Sequence, residues 1–111
     1  MDILNNYREI IKSIFAAYAS IPYAYGDLKC EFVFDRANDR YLLMTVGWLN
    51  GRRVHSALVH IDIINEKIWI QRDGTEDGIA TELVKAGIPK DHIVLAFHPP
   101  EIRPHTEYAV A

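Results

Sequence analysis

The dipeptide Asn50-Gly51 is the sequence feature that most constrains the fold of this chain. It separates two runs, residues 41–48 and 52–64, that are rich in β-branched and aromatic side chains. Asparagine and glycine both tolerate the positive φ angles of a type I′ turn, and such a pair between two strand-like runs is the strongest short-range signal of a β-hairpin. The sequence therefore predicts two long antiparallel strands joined by a two-residue turn.

Two more strand-like runs extend this hairpin into a meander. Residues 28–34 precede it, and residues 67–73 follow it after Asn65-Glu66, a weaker turn signal because glutamate resists the left-handed conformation. In a hairpin with a two-residue turn, the residues that flank the turn pair with each other, and each further pair lies one residue away on both strands. The two turns therefore predict which residues of neighbouring strands are paired. The expected pairs are Leu49 with Arg52, Val46 with His55, Met44 with Ala57, Ile64 with Lys67, Ile61 with Ile70, Asp62 with Trp69 and His60 with Gln71.

Because side chains alternate along a strand, this register divides the sheet into an apolar face and a mixed face, and we expect the apolar face to be the core. The apolar face is expected to hold Leu42, Met44, Val46, Ala57, Val59, Ile61, Ile63, Ile68 and Ile70. The mixed face is expected to hold Leu43, Thr45, Val54, Ser56, Leu58, His60, Asp62, Trp69, Gln71 and Asp73.

The first segment of the chain predicts an amphipathic helix. Apolar side chains recur there at i, i+3, i+4 and i+7 between Ile3 and Tyr18. Asp2 is placed to cap the first turn, and Pro22 is placed to end the helix.

A second, shorter helix is predicted after the loop Asp73–Gly78. Thr75 is placed to cap its start, and Gly87 to end it in the left-handed conformation. A short fifth strand at residues 93–97 lies far enough along the chain for a crossover to a parallel position. The predicted fold class is α+β: an antiparallel meander sheet of four to five strands with two helices packed on one face, in a single domain of residues 1–111.

Charge and cysteine content narrow the classes of function. The chain has 15 acidic residues against 12 Lys plus Arg, a net charge of −3, which argues against non-specific binding to nucleic acid or acidic lipid. Its single cysteine, Cys30, excludes an internal disulfide and a cysteine zinc site, and a reducing, cytoplasmic setting is expected. No apolar run reaches the roughly 20 residues of a membrane span, so no membrane partner is expected.

Four polar residues are expected to converge on the mixed face: His60, Asp62, Gln71 and Asp73. A His-x-Asp pair beside a further carboxylate can bind a metal or serve as an acid–base pair. The same residues can instead satisfy one another's hydrogen bonds on a half-exposed surface. No motif of known chemistry is completed around them, so no catalytic residue, metal ligand or cofactor is assigned, and the chain is expected not to be an enzyme.

Two further polar segments are candidate binding surfaces. The loop Asp73–Gly78 carries three acidic residues, Glu76 among them, in front of a helix. Acids there would repel phosphate and suit a cation or a partner's basic side chain, or they act only as a helix cap. Arg52 and Arg53 stand at the hairpin tip beside Trp48, where they could enter a nucleic-acid groove or simply be solvated.

Several short segments, in order along essentially the whole chain, form a specific combination. They are Tyr7-Arg8-Glu9-Ile10-Ile11, Ile21-Pro22-Tyr23-Ala24-Tyr25-Gly26-Asp27, Val46-Gly47-Trp48, Arg52-Arg53-Val54-His55, His60-Ile61-Asp62-Ile63, Lys67-Ile68-Trp69-Ile70-Gln71-Arg72-Asp73-Gly74-Thr75-Glu76, Gly78-Ile79-Ala80, Glu82-Leu83-Val84, Ala86-Gly87-Ile88-Pro89 and Phe97-His98-Pro99-Pro100-Glu101. This combination resembles the XisI family, the fdxN-element excision controlling factors of cyanobacteria.

The resemblance implies a role in controlling site-specific excision of a DNA element during heterocyst development. Members of the family act alongside a site-specific recombinase and a companion called XisH, so the implied partners are proteins of that machinery. The resemblance brings no assigned active site and no cofactor.

Resemblance and charge together favour an accessory factor that acts mainly through protein–protein contacts. The candidate partner or ligand surface comprises His60, Asp62, Trp69, Gln71, Asp73 and Glu76. The alternatives left open are a metal-dependent hydrolase or nuclease, and a small-ligand-binding protein, using Asp62, Asp73 and Glu76.

The chain is also expected to be a homo-oligomer, with a dimer favoured. Pairing of two mixed faces across a two-fold axis would be self-complementary and would cover exposed apolar side chains. The residues expected to be covered are Leu43, Val54, Leu58 and Trp69.

Direct DNA binding is predicted to be weak and non-specific at physiological salt, because the net charge is negative and no basic stripe is present. A gel shift with increasing protein is the measurement. A sequence-dependent shift at sub-micromolar protein would contradict the prediction, and Arg52→Ala and Arg53→Ala would then test whether the hairpin tip makes the contact.

Overall fold

The computed structural model describes residues 3–20 and 27–111. One helix precedes four strands, and a second helix connects the fourth strand to the fifth. The elements are α1 (Ile3–Ala19), β1 (Asp27–Asp35), β2 (Arg40–Leu49), β3 (Arg52–Ile64), β4 (Lys67–Asp73), α2 (Ile79–Lys85) and β5 (Ile93–Leu95). The predicted cap at Asp2 and helix end at Pro22 lie outside the described residues.

Both predicted turns form. Asn50 and Gly51 have φ angles of 52° and 78°, as a type I′ turn requires, and Leu49 pairs with Arg52. Asn65-Glu66 makes the second turn with φ angles of 51° and 66°, so glutamate does adopt the left-handed conformation here.

The sheet has the order β1-β2-β3-β4-β5. The first four strands are antiparallel, and β5 lies parallel to β4, reached by the crossover through α2. This confirms the α+β fold class and the parallel fifth strand, which is shorter than predicted. No helix among residues 3–20 and 27–111 is long and apolar enough to cross a membrane.

Both helices pack on one face of the sheet and build one core. From α1 the buried side chains are Tyr7, Ile11 and Phe15, and from α2 they are Ile79, Ala80 and Leu83. The sheet contributes Tyr41, Leu43, Val59, Ile61, Ile63, Ile68 and Ile70. Burial of this apolar surface is the main driving force for the fold.

An extra residue in β3 makes the predicted faces of β2 wrong. Met44 pairs with Ala57 as expected, but Leu43 pairs with Val59, so Leu58 has no partner in β2. A one-residue slip sends every side chain beyond it to the other face. The residues placed on the wrong face of the sheet are Leu42, Met44, Val46 and Ala57, expected in the core, and Leu43, Thr45, Val54, Ser56 and Leu58, expected away from it.

Contacts from β4 and the loop after it hold this bulge. The Gly74 N–H donates to the Leu58 carbonyl at 2.7 Å, and Arg72 Nε donates to the Ala57 carbonyl at 2.7 Å. A Cβ on Gly74 would lie 3.1 Å from the Leu58 oxygen, so the close approach favours glycine. The carbonyls of Ala57 and Leu58 at the bulge are therefore both satisfied.

A second irregularity lies between β3 and β4. Ile61 pairs with Ile70 as predicted, but His60 pairs with Arg72 rather than with Gln71. Gln71 is the extra residue, and beyond it Asp73 pairs with the core residue Val59. Asp73 therefore lies on the helix side of the sheet, and its predicted place on the mixed face is wrong.

A bidentate ion pair fastens α1 to the turn between β1 and β2. Arg8 Nε and Nη2 donate to the two carboxylate oxygens of Asp39 at 2.8 and 3.1 Å, and the Tyr41 hydroxyl donates to the same carboxylate at 2.7 Å. The Arg8 bond holds the pKa of Asp39 below its ordinary value, and burial together with Asp39 raises the pKa of Tyr41 to about 12.

Replacing Arg8 with lysine is expected to lower the free energy of unfolding by about 1–2 kcal/mol at neutral pH, because an ammonium cannot make both bonds of the guanidinium fork. Urea unfolding of both proteins measures the difference. Since the folded pKa of Asp39 is lowered, the stabilisation is complete above the ordinary carboxyl pKa and is lost as the pH falls through the lowered one. The difference between the two proteins should therefore shrink in acid.

Arg36→Lys is the matched control, because Arg36 lies 3.6 Å from Glu9 with both side chains largely exposed. Its effect should be within about 0.5 kcal/mol. An Arg8→Lys effect no larger than that of the control, or one that does not change with pH, would contradict the role given to the ion pair.

Candidate functional site

The face of the sheet that points away from the helices carries an apolar surface in its β1–β2 half. Because Tyr41, Leu43 and Thr45 of β2 point toward the helices, the side chains that alternate with them point outward. We name the resulting set the outer patch: Val33, Leu42, Met44, Val46 and Trp48. Val33 is 50% exposed and Trp48 52%, and the other three are half-buried. Scattered apolar residues on a surface are ordinary, whereas a contiguous set on one sheet face is a candidate interaction site.

A hydrogen-bonded polar cluster lies next to the outer patch. His60 Nε2 is 2.9 Å from Asp62 Oδ1, and Gln71 Nε2 donates to Asp62 Oδ2 at 3.3 Å. With Asp62 ionised, the first contact requires the histidine proton to be on Nε2. The predicted convergence of these three residues is thus present, in the form of mutual hydrogen bonding. The Asp62 side chain is only 16% exposed.

The C-terminal segment covers the β4–β5 end of the same face. The Arg103 guanidinium carbon lies 5.5 Å from the ring centre of Trp69, within cation–π range. Arg103 also donates to the carbonyls of His98, Ala96 and Val110 at 3.0, 3.3 and 3.4 Å, so it holds the segment together. Trp69 is therefore under the protein's own chain. No sequence pattern predicts this role for Arg103, because the residue stands in a proline-rich stretch without periodicity.

The loop Asp73–Gly78 is organised by the Asp73 carboxylate. Oδ1 accepts the Thr75 N–H at 2.9 Å and the Thr75 hydroxyl at 2.5 Å, and Oδ2 accepts the Ile79 N–H at 2.7 Å. The residue that caps α2 is thus Asp73, and the predicted cap at Thr75 is wrong, because the Thr75 hydroxyl is a donor within the same network. The carboxylate satisfies backbone groups at the start of the helix.

The remaining candidate residues are dispersed. Glu76 is exposed on the loop, and none of the hydrogen bonds of the polar cluster involves it. Arg53 lies over the Trp48 ring at 5.4 Å, and Arg52 is exposed beside it at the hairpin tip. Within residues 3–20 and 27–111, no group of three or more His, Cys, Asp or Glu side chains is placed to hold a metal ion.

A family model for the XisI protein matches residues 1–110. The chain belongs to the XisI family. Its architecture agrees with solved structures of that family from Anabaena variabilis. One, a XisI-like protein, is 35% identical with a TM-score of 0.88, and the match covers 97% of this chain and 99% of that one. Another, fdxN element excision controlling factor XisI, is 36% identical with a TM-score of 0.82, and the match covers 99% of this chain and 100% of that one.

A search of curated protein sequences finds no match. The resemblance inferred from short sequence segments is confirmed by the family model and by both structures of XisI proteins. Both structural matches cover nearly the full length of this chain and of the solved one. The helices, the sheet and the C-terminal segment therefore belong to one shared XisI fold.

Replacing Asp73 with alanine is expected to destabilise the protein by about 1–3 kcal/mol, because the cap of α2 and the loop hydrogen bonds are lost together. Glu76→Ala, in the same loop but exposed, is the control and should change stability by less than about 0.5 kcal/mol. Thermal or urea unfolding measures both. Equal, small effects of the two substitutions would show that the Asp73 carboxylate does not organise the loop.

Proposed function

We propose that this chain is an accessory factor that controls site-specific excision of a DNA element, and that it acts by binding a protein partner with the outer patch. Membership of the XisI family and similarity to a structure named as an excision controlling factor support the role. The observation that carries the mode of action is the outer patch itself, an apolar sheet surface beside the polar cluster of His60, Asp62 and Gln71.

The composition of this surface suits a protein partner. Apolar and aromatic side chains form its middle, and charged side chains of Lys29, Glu31 and Arg53 border it, as in the core and rim of an interface. Trp48 is the residue type most often found to dominate binding energy. The partner proposed is the XisH-type companion or a protein of the recombinase machinery, in the cytoplasm where the DNA element is excised.

Neither alternative chemistry gains support from the described residues. A metal-dependent hydrolase would need Asp62, Asp73 and Glu76 on one side of the sheet, but Asp73 bonds the start of α2 on the helix side. A small ligand that bound the carboxylates of Asp62 and Asp73 would have to replace the hydrogen bonds that these carboxylates already accept. We therefore propose neither function, and we propose that any contact with DNA is weak or is made through the partner.

Trp48→Glu is expected to lower the affinity for a purified XisH-type companion by about tenfold or more, because the charge would have to be buried in an apolar interface. Calorimetric titration measures the affinity. Ile3→Glu is the matched control, since Ile3 and Trp48 are both 52% exposed but Ile3 lies on α1, on the opposite side of the sheet.

Binding that is lost in Trp48→Glu and kept in Ile3→Glu would support the proposed surface. Binding equal to that of the natural protein in both variants would contradict the assignment of the outer patch. Failure of the companion to bind the natural protein at micromolar concentration would contradict the proposed partner.

We also propose that the chain acts as a homo-oligomer. The pairing of two mixed faces was predicted because it would cover exposed apolar side chains. Three of those side chains are already covered within one copy, since Leu43 and Leu58 contribute to the core and Trp69 lies under Arg103.

A further inference from the structure

We propose that the outer patch receives one amphipathic helix of a partner protein, and that this helix carries aspartate or glutamate side chains along the flank that lies toward β3. This inference rests on the proposed function, because it names the kind of segment that the outer patch binds. Two features of the sheet face that points away from the helices carry it. They are the shape of the uncovered apolar surface and the charge along its two borders.

The uncovered apolar surface is a narrow strip. It runs along β2 from Leu42 to Trp48, with Val33 beside it on β1. On the other side, the β4–β5 end of this face lies under the C-terminal segment, where Arg103 packs on Trp69. The apolar strip is therefore about two strands, or about 10 Å, wide, and its row on β2 is about 20 Å long.

A single helix fits a strip of this size. The face of a sheet is covered in proteins either by helices or by a second sheet. A second sheet packs over several strands at once, so here it would meet the C-terminal segment. A helix is about 10 Å in diameter and rises about 1.5 Å per residue, so about three to four turns span the apolar row. The element that suits the strip is therefore a helix with one apolar stripe.

The border of the outer patch on the β3 side is basic. Arg53 is paired with Trp48 of the patch. His55 is paired with Val46, so both side chains lie on the same face as the patch. No Asp or Glu occurs between residues 40 and 61 to balance them. With one arginine of β4 they form a set that we name the basic border, and all its members are exposed: Arg53, His55 and Arg72.

Arg72 joins this border from the neighbouring strand. It is paired with His60, and its Nε atom donates to the Ala57 carbonyl at 2.7 Å. Ala57 is in turn paired with Met44 of the outer patch, so the guanidinium group lies near the middle of the strip. Arginine has five N–H donors and this bond uses one, which leaves donors for a carboxylate.

The protein does not neutralise the basic border itself. Across residues 3–20 and 27–111, the ion pairs are made by other cationic side chains: Arg8, Arg36, His60 and Lys90. Arg53 packs over the ring of Trp48, and this contact leaves its positive charge in place. A partner's carboxylates would therefore meet unpaired positive charge along this border.

The opposite border, on β1, has no excess of positive charge. Lys29 stands there between Asp27 and Glu31, and alternation places all three on the face of the outer patch. Carboxylates of a partner are thus attracted on the β3 side and are not attracted on the β1 side. This asymmetry places the acidic flank of the helix toward β3.

The same asymmetry favours a protein helix over a nucleic acid. Phosphate groups repeat along the whole length of a nucleic acid, so they would also meet Asp27 and Glu31 on the β1 border. The apolar row between the two borders offers nothing to a phosphate backbone. A helix with an apolar stripe and one acidic flank matches both the row and the basic border.

Two synthetic peptides of about eighteen residues test the inference on the full chain. Both carry a leucine stripe in an alanine background, and their flanks hold glutamate in one peptide and lysine in the other. The glutamate peptide should bind at least about tenfold more tightly, and this preference should shrink as the salt concentration rises from about 50 to about 500 mM. Nuclear magnetic resonance titration measures both dissociation constants and identifies the residues that the peptides contact.

Charge reversal at the basic border should remove the preference. Arg53→Glu is expected to abolish the tighter binding of the glutamate peptide, whereas Arg53→Lys retains the charge and should preserve it. Arg52→Glu is the matched control, because it makes the same change of charge one residue away. Arg52 is paired with Leu49, so its side chain lies on the helix side of the sheet.

A preference for the glutamate peptide that is lost in Arg53→Glu and kept in Arg52→Glu and Arg53→Lys would support the proposal. Equal binding of the two peptides, tighter binding of the lysine peptide, no binding of either up to about 1 mM, or equal losses in Arg52→Glu and Arg53→Glu would overturn it. A DNA duplex of about 20 base pairs that binds more tightly than either peptide, and is lost in Arg53→Glu, would also overturn it and assign the basic border to nucleic acid.

Failure of this inference and failure of the proposed function give different results. Companion binding that Trp48→Glu abolishes, together with equal binding of the two peptides, would leave the proposed function in place and remove the acidic helix. A confirmed preference for the glutamate peptide, together with companion binding that Trp48→Glu leaves unchanged, would keep the helix site and contradict the companion as its ligand.

Discussion

The bulge at Leu58 is the constraint on which the arrangement of the sheet depends. β3 holds one residue more than β2 at this point, because Leu43 pairs with Val59 and Met44 pairs with Ala57. The alternation of side chains between the two faces is therefore interrupted in β3 but not in β2. On the turn side of the bulge the pairing follows from Asn50-Gly51, and on the other side Leu43 packs beside Val59 in the core. The carbonyls of Ala57 and Leu58 accept bonds from Arg72 and Gly74, so the extra residue leaves these two groups satisfied.

This constraint also determines the surface on which the proposed function depends. If β2 kept the uninterrupted register, Met44 and Val46 would point toward the helices and Leu43 and Thr45 outward. With the bulge, the apolar residues on alternate positions of β2 form the outer patch. The same strand thus supplies the core with one set of side chains and the outer patch with the other. β1 extends that surface through Val33.

Several polar residues in this protein hold its own elements together. Asp73 caps α2, Asp39 binds Arg8 of α1, and Arg103 fastens the C-terminal segment over Trp69. Each satisfies backbone or charged groups that would otherwise be costly to bury. An acidic loop before a helix is therefore a weak sign of a ligand site when one of its carboxylates is within reach of the first free N–H groups.

The sequence by itself determined the secondary structure, the α+β class and the family, because turns, periodicity and short segments are local properties. The positive φ of Asn50-Gly51 and the spacing of apolar residues in α1 need no distant partner. It also brought His60, Asp62 and Gln71 together, since all three lie close to one turn. Only the tertiary structure decided which face of β2 is buried, that Asp73 lies on the helix side, and that Arg103 covers Trp69. Each of these depends on contacts between residues distant in sequence, and a bulge of one residue, stabilised from a neighbouring strand, leaves no periodic signal in the strand that contains it.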